Sequence, residues 1–208
     1  MKKSFLLLFV LFSLFSKAQV FDTIAFSLKQ KPKIVLKFDN RNSFISSQNA
    51  RISGIKIGLK YNGVFQVGAG YNYLDTEIKK YFYPNDVLVK YLLKLNYLSF
   101  FAEYNYYRKG RWEFSLPIQV GVGTSFYKTD ETNFEEKLHK TPVMVYETNL
   151  TGHYLIIKYL ALGFGAGYRL VATSSSELKQ KFNSPVYHLY VKINFSDIYN
   201  DIVKTSSK

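Results

Sequence analysis

The 208 residues contain no cysteine. That removes any disulfide framework and any zinc site built on thiolates. Acidic residues are also few, 15 against 28 Lys and Arg, for a formal net charge of +13. A basic excess points first to nucleic acid, because phosphate backbones select clustered Lys and Arg. Here no block of five basic residues occurs and the charge is spread along the chain. A charged barrel interior, together with contact to anionic lipid head groups, accounts better for the excess, and no nucleic-acid partner is expected. The three histidines (His139, His153, His188) are scattered, without metal-ligand spacing. What the chain has in abundance is aromatic: 18 Tyr and 18 Phe, with aromatics at 18% overall and charged residues at only 21%. Such a composition is far from that of a disordered chain and favours strands. The length suits one domain.

Long apolar runs are missing everywhere except at the start. Met1-Lys2-Lys3 forms a positive lead, Phe5 to Phe15 is apolar except for Ser13, and Ser16-Lys17-Ala18 presents small residues where a signal peptidase reads. Eleven residues at about 1.5 Å each reach only half of a ~30 Å hydrocarbon core, so a spanning helix is excluded. No cysteine follows, which excludes lipoprotein processing. Residues 1–18 are therefore expected to be a signal peptide cleaved between Ala18 and Gln19; losing Lys2, Lys3 and Lys17 would lower the net charge by three. Residues 19–32 form a lead closed by Pro32, and the sequence leaves open whether 20–31 add a strand.

From residue 33 the pattern is alternation, the mark of half-buried strands. Ile34, Leu36 and Phe38 oppose Lys37, Asp39 and Arg41. Ile55, Ile57, Leu59 and Tyr61 oppose Lys56 and Lys60, and Asn62-Gly63 is a two-residue hairpin signal. Phe65 to Tyr73 alternates with Gln66, Gly68, Gly70 and Asn72. A polar loop is expected at 75–90, then a strand over Tyr91–Tyr107 whose apolar parity slips between Tyr97 and Phe100, suggesting a bulge. Lys109-Gly110 is the next tight turn. Trp112 to Val122 alternates cleanly, with Pro117 costing one ladder donor. A charged loop at 128–141 precedes a strand over Val143–Ile156, with Glu147, Asn149, Thr151 and His153 on its polar face. A short connection near Lys158 leads to Leu160–Arg169. A Ser-rich loop, Thr173–Ser184, precedes Tyr187, Leu189, Val191, Ile193 and Phe195.

Eight such strands fit a soluble lipocalin-type barrel or a membrane barrel. Three features favour an antiparallel up-and-down transmembrane β-barrel over residues 33–195. The connections after strands two, four and six are tight, and those after three, five and seven are long and polar, as expected of short periplasmic turns and long outer loops. Aromatic residues of the apolar face gather at strand ends. Tyr61, Phe65, Tyr104, Tyr106, Trp112, Phe114, Tyr154 and Phe195 form one girdle, and Phe44, Tyr71, Tyr73, Phe126, Tyr146 and Tyr168 the other. The polar face is rich in glycine, which suits a crowded interior.

The Lys-Ala-Gln ending of the signal, the segment Phe38-Asp39-Asn40-Arg41-Asn42-Ser43-Phe44 and the Gly-Ala-Gly-Tyr-Asn-Tyr run at 68–73 resemble small outer-membrane β-barrel proteins of Bacteroidota, of the OmpA/OmpX-like eight-stranded class. The last strand is similar to the terminal signal read by the barrel-insertion machinery, so the resemblance implies that machinery as a partner. Thirteen residues follow Phe195, where that signal ordinarily ends a chain; 196–208 are expected to be a periplasmic tail. The resemblance implies the outer membrane of a Gram-negative bacterium, with contacts to outer-membrane lipid and lipopolysaccharide.

The candidate functional residues lie on the polar face: Lys37, Asp39, Arg41, Lys56, Lys60, Glu103, Arg111, Glu113, Glu147, Arg169, His188 and Lys192. An eight-stranded barrel is just wide enough to be filled by side chains, so opposite charges there should pair and plug it. The expected function is that of a non-enzymatic, monomeric barrel with a charge-plugged lumen, structural or partner-binding through its outer loops at 75–90 and 128–141. No cofactor or metal is expected. An accessory component of a secretion or assembly machine, docking by its lead or tail, is one alternative. A lipid-active enzyme is another, but the activated serine it needs has no His-x-Ser arrangement to support it. A narrow anion-attracting pore is a third. Asp22-Thr23-Ile24 matches a short O-glycosylation pattern, and Asn149-Leu150-Thr151 an N-glycosylation acceptor that falls mid-strand and is discounted. Mass spectrometry of the protein isolated from membranes should show a chain beginning at Gln19; retention of Met1 would refute the cleavage.

Overall fold

The computed structural model describes residues 19–45, 48–82, 88–129, 137–173 and 182–206. The expected signal peptide and its expected cleavage bond, the tips of both charged loops and most of the Ser-rich loop lie outside the described residues. A helix, α1, covers 19–28, so the lead adds no strand. Nine antiparallel strands follow among the described residues: β1 (Lys33–Ile45), β2 (Gln48–Tyr61), β3 (Phe65–Leu74), β4 (Ile78–Phe82), β5 (Val89–Lys109), β6 (Trp112–Thr129), β7 (Lys137–Ile157), β8 (Leu160–Thr173) and β9 (Ser184–Asn194). Helix α2 (Phe195–Ser206) completes the chain.

Eight of the strands close a ring. Neighbours in sequence pair with each other, β3 pairs directly with β5, and β9 pairs with β1 from Val35↔Asn194 to Ser43↔Val186. The ninth strand, β4, stands on the outer end of β5 through Ile78↔Leu93 to Phe82↔Val89. Hydrogen-bonded neighbours lead from Lys33 through Lys60, Gln66 and Glu103 to Pro117, opposite Asn149, and on through Gly167 and Val186 to Ser43 of the same strand. A stagger of about 33 Å over eight spacings of about 4.8 Å corresponds to a strand tilt of about 40°.

The turn chemistry behaves as its residues dictate. Asn62 (φ 47°) and Gly63 (φ 73°) both take positive φ between β2 and β3, the conformation a two-residue hairpin requires. Gly110 does the same between β5 and β6 at φ 60°. These two turns and Lys158-Tyr159 share one end of the barrel with the start of β1 and the end of β9.

Several boundaries differ from the sequence expectation. Strands β5 and β6 run two residues into the expected loops, to Val89 and Thr129, β7 begins five residues inside one, at Lys137, and β4 lies within 75–90. No register slip occurs between Tyr97 and Phe100: Tyr97, Ser99 and Phe101 point inward, while Leu98 and Phe100 point outward. The bulge falls instead between Asn105 and Tyr107. Inward-facing aromatics at 97 and 101 had mimicked a change of face. Residues 196–206 are helical, and Phe195 opens that helix where it was expected to end the last strand.

Outward positions are apolar and inward ones polar over the central part of the ring. On β8, Leu162, Phe164, Tyr168 and Leu170 are about half exposed, while Arg169 is fully buried. From Leu162 to Leu170 the stripe runs about 26 Å along the strand, or about 20 Å along the barrel axis at this tilt, close to the belt of a membrane barrel. The polarity then inverts at the outer end. Ile45, Ile52, Leu74, Ile78, Tyr91, Leu93, Leu95, Tyr127, Val143, Val145, Val171 and Phe182 form a buried apolar cluster inside the ring, and Lys79, Lys90, Asn96, Thr124 and Lys140 face outward there. The strands thus leave the belt and continue as a water-facing module with a core of its own.

Helix α2 is tied to the opposite rim. Lys33 Nζ donates to Asp197 at 2.6 Å, the Ile34 amide donates to Ser196 Oγ at 2.7 Å, and Lys158 Nζ donates to Asp201 at 2.5 Å. Tyr159 also donates its hydroxyl to Asp201. That carboxylate raises the Lys158 amine above its ordinary value. A raised amine keeps its charge, and so its share of this tie, up to the ordinary lysine value and loses it as pH rises through the elevated one. Substituting Leu150, which is 54% exposed in the middle of the belt, by Arg should destabilise the barrel in bilayers by about 2–4 kcal/mol. Denaturant titration in lipid vesicles measures this, and an unchanged midpoint would mean that this face meets water.

Candidate functional site

The interior is a three-tier charge network. In the tier nearest the tight turns, Glu113 of β6 accepts from Lys60 Nζ of β2 at 2.6 Å and lies 3.2 Å from Arg108 Nε. His153 of β7 places Nε2 2.8 Å from the same carboxylate and Nδ1 3.3 Å from the Tyr190 hydroxyl. A carboxylate only accepts, so Nε2 carries the proton and Nδ1 receives the tyrosine. In the middle tier Glu103 of β5 accepts from Lys37 and from Ser115 Oγ, the latter at 3.0 Å, and Lys192 stands at 3.7 Å.

The outer tier is the densest. Asp39 lies 2.9 Å from Lys56 Nζ and 3.3 Å from Arg41 Nε. Glu147 lies 3.3 Å from Arg41, 3.0 Å from Arg169 and 3.3 Å from His188. Arg41 also donates to the Tyr97 hydroxyl at 2.9 Å and to Asn72, while Arg169 donates to Ser43 at 3.1 Å. One guanidinium on β1 therefore reaches β3, β5 and β7 across the ring. Arg41, Glu147 and Arg169 have no solvent exposure at all.

Glycine makes this packing possible. Gly163 lies against the Tyr190 ring, where a Cβ would overlap ring atoms, and Gly121 makes the same room for Tyr97. The space bounded by Lys37, Asp39, Lys56, Gln119, Asn149 and His188 amounts to about 30 Å³, enough for one water molecule.

Eleven of the twelve residues expected in the interior are buried there. Arg111 is the exception: it is exposed in the β5–β6 turn, because Gly110-Arg111 is the turn itself and strand parity does not extend through it. The sequence reading missed Tyr97, hidden by the supposed slip, and Tyr190. It also missed the uncharged partners Ser43, Asn72 and Ser115, and the outer apolar cluster. All fourteen aromatics assigned to girdles sit on the outward side; Trp112 groups with Phe114, Tyr154 and Phe164 at centroid distances of 6.1, 5.0 and 6.4 Å.

A closed ring, an outward apolar belt and a buried ionic interior define the fold of a small outer-membrane β-barrel, and they place the chain in an outer membrane. Solved structures share that fold. Neisserial surface protein A is similar over 78% of this chain and 96% of its own, at 13% identity and a TM-score of 0.50. The N-terminal β-barrel domain of Pseudomonas aeruginosa OprF is similar over 78% and 98%, at 8% identity and a TM-score of 0.50. Ail, the attachment invasion locus protein of Yersinia pestis, is similar at 13% identity and a TM-score of 0.47. No family model and no curated protein matches the chain.

Replacing Glu147 by Ala would leave Arg41 and Arg169 buried without their counter-charge. Removing one partner of a buried ion pair costs about 3–5 kcal/mol. The loss should appear as a lower denaturant midpoint in vesicles, whereas Arg111→Ala, in the exposed turn, should leave the midpoint in place.

Proposed function

We propose that this protein is a non-enzymatic barrel whose interior is a structural plug and whose working surface is the water-facing sheet at its outer end. The observation that carries this reading is the inversion of polarity along β5, β6 and β7. Charged pairs fill the interior at membrane level, and the apolar cluster from Ile45 to Phe182 closes it above. Ions have no continuous polar path through such an interior, which argues against the pore. The His153 ring, held between Glu113 and Tyr190, is fully buried, which speaks against a lipid-active enzyme. A rigid sheet beyond the membrane presents Lys79 and Tyr81 of β4 and Lys140 of β7 to solvent, and rigidly held surface segments of this kind carry recognition. Surrounding lipid, lipopolysaccharide included, contacts the belt; the last strand serves the insertion machinery, and the barrel acts as a monomer.

A second reading rests on α2. Tyr199, Ile202 and Val203 are 68%, 60% and 46% exposed at the turn-bearing rim, a surface suited to docking an accessory component of a secretion or assembly machine. Deleting 196–208 should reduce the size of a native detergent-extracted complex if the helix docks one, and leave it unchanged otherwise.

The primary reading is tested by replacing 75–88 with a two-residue Asn-Gly turn in a strain lacking the native protein. The shortened barrel should fold yet fail to restore the wild-type surface phenotype, such as binding to a host or neighbouring cell. Restoration by the shortened form would leave only a structural role. Purified protein should give no unitary currents in planar bilayers, and steady conductance would overturn the plug.

A further inference from the structure

A polar group stands on the outward face where the apolar belt gives way to the polar outer end. On β1 and β2, Asn40, Asn42, Arg51 and Ser53 point outward in the half of the belt nearer the long loops. Asn40, Asn42 and Ser53 have apolar neighbours in register, whereas Arg51 lies beside Asp75 and Thr76 of the β3–β4 connection. Asn40 pairs with Leu189 and Asn42 with Tyr187 on β9, while Ser53 pairs with Tyr73 on β3. Phe38 and Ile55 lie directly below and Phe44 above. Leu189, Tyr187 and Tyr73 are themselves 63%, 54% and 42% exposed, so the polar group sits at the outer edge of the surface that faces hydrocarbon, at head-group level.

Its chemistry is mainly that of donors, with the Asp75 carboxylate at its edge. Ser53 donates to Asn40 Oδ1 at 2.8 Å and reaches Asp75 at 3.5 Å, and Arg51 Nε donates to Asn42 Oδ1 at 3.5 Å. Both amide oxygens are thereby occupied. Asn40 Nδ2, Asn42 Nδ2 and the two terminal nitrogens of Arg51 have no hydrogen-bond acceptor among the described residues. Donors at the edge of the hydrocarbon layer are costly unless something accepts from them. A guanidinium flanked by amide N–H groups matches an anionic oxygen cluster, above all a phosphate. The stacked Tyr71 and Tyr73 rings, 6.3 Å apart at 30°, border the notch on one side and Tyr187 on the other, flat surfaces on which a sugar ring can rest.

We infer that this notch is a binding site for the phosphorylated saccharide head group of an outer-leaflet glycolipid, held by Arg51, Asn42 and Asn40 with its acyl chains along Phe38, Ile55 and Leu189. The inference rests on the outer-membrane placement, which the Leu150→Arg titration tests separately.

Full-length protein in nanodiscs containing bis-phosphorylated lipid A, or the same lipid enzymatically stripped of phosphate, provides the test, with bound lipid counted by native mass spectrometry after transfer to detergent. Wild type should retain the phosphorylated form over the stripped form by about tenfold, a ratio set by one charge-assisted contact. Arg51→Ala and Asn42→Leu should each abolish that preference. Arg111→Ala, at the opposite end, should preserve it. Asn42→Leu adds an apolar residue to the belt, so an unchanged melting temperature for that variant separates loss of binding from loss of fold. Equal retention of both lipids by wild type would overturn the site, as would a photocrosslinker at position 42 that captures only a second copy of the chain. Preferential retention of phosphatidylglycerol over lipid A would show a generic phosphate contact and would equally overturn the assignment to a glycolipid.

Discussion

Inside hydrocarbon, each backbone N–H and C=O must be spent on another backbone group, because no water is present to take its place. Strands meet that demand only when the sheet closes, and here closure is the pairing of β1 with β9. The rest of the structure follows from it. With eight strands and this stagger the ring is narrow, its interior must be filled by side chains, and its exterior must be acceptable to lipid. Alternation along each strand then sends one set of residues to each task.

The interior filled itself with charge instead of hydrocarbon groups. A buried pair gains little over a well-packed apolar core, but a half-broken one is costly. The value of the network lies in specificity: Arg41 reaches three other strands, and any register slip would strand its charge. Six cations, Lys37, Arg41, Lys56, Lys60, Arg169 and Lys192, share four carboxylates, Asp39, Glu103, Glu113 and Glu147. Neutral partners such as Tyr97, Asn72 and Ser43 absorb the remaining donors. The interior thus holds only a small part of the chain's basic excess, and Arg51 is a cation outside that accounting, on the outward face.

Above the belt the same strands serve a different solvent. Inward residues become apolar from Leu95 on β5 and Val145 on β7, and outward ones become polar. Membrane barrel and water-facing module are one continuous sheet, which gives the outer end a stiffness that free loops would lack. At the other end, Asp197 and Asp201 fasten a terminal helix to lysines of β1 and the β7–β8 turn. The two ends of the barrel are therefore built differently, one for presentation and the other as a tethered rim.

Alternation and turn residues alone determined the ring, the hairpin at Asn62-Gly63 and eleven of the twelve interior charges, because a period of two assigns every residue in a regular strand to a face. They failed where that period gives no information. Arg111 occupies a turn, Tyr97 and Phe101 are large inward aromatics that imitate outward ones, and the strand extensions back to Val89 and Lys137 change solvent while keeping their parity. Which carboxylate meets which cation, and that Asn40, Asn42, Arg51 and Ser53 share one lipid-facing notch, only the tertiary structure decided. Those partners lie on strands brought together by register and barrel closure, and neither quantity is written in any single strand.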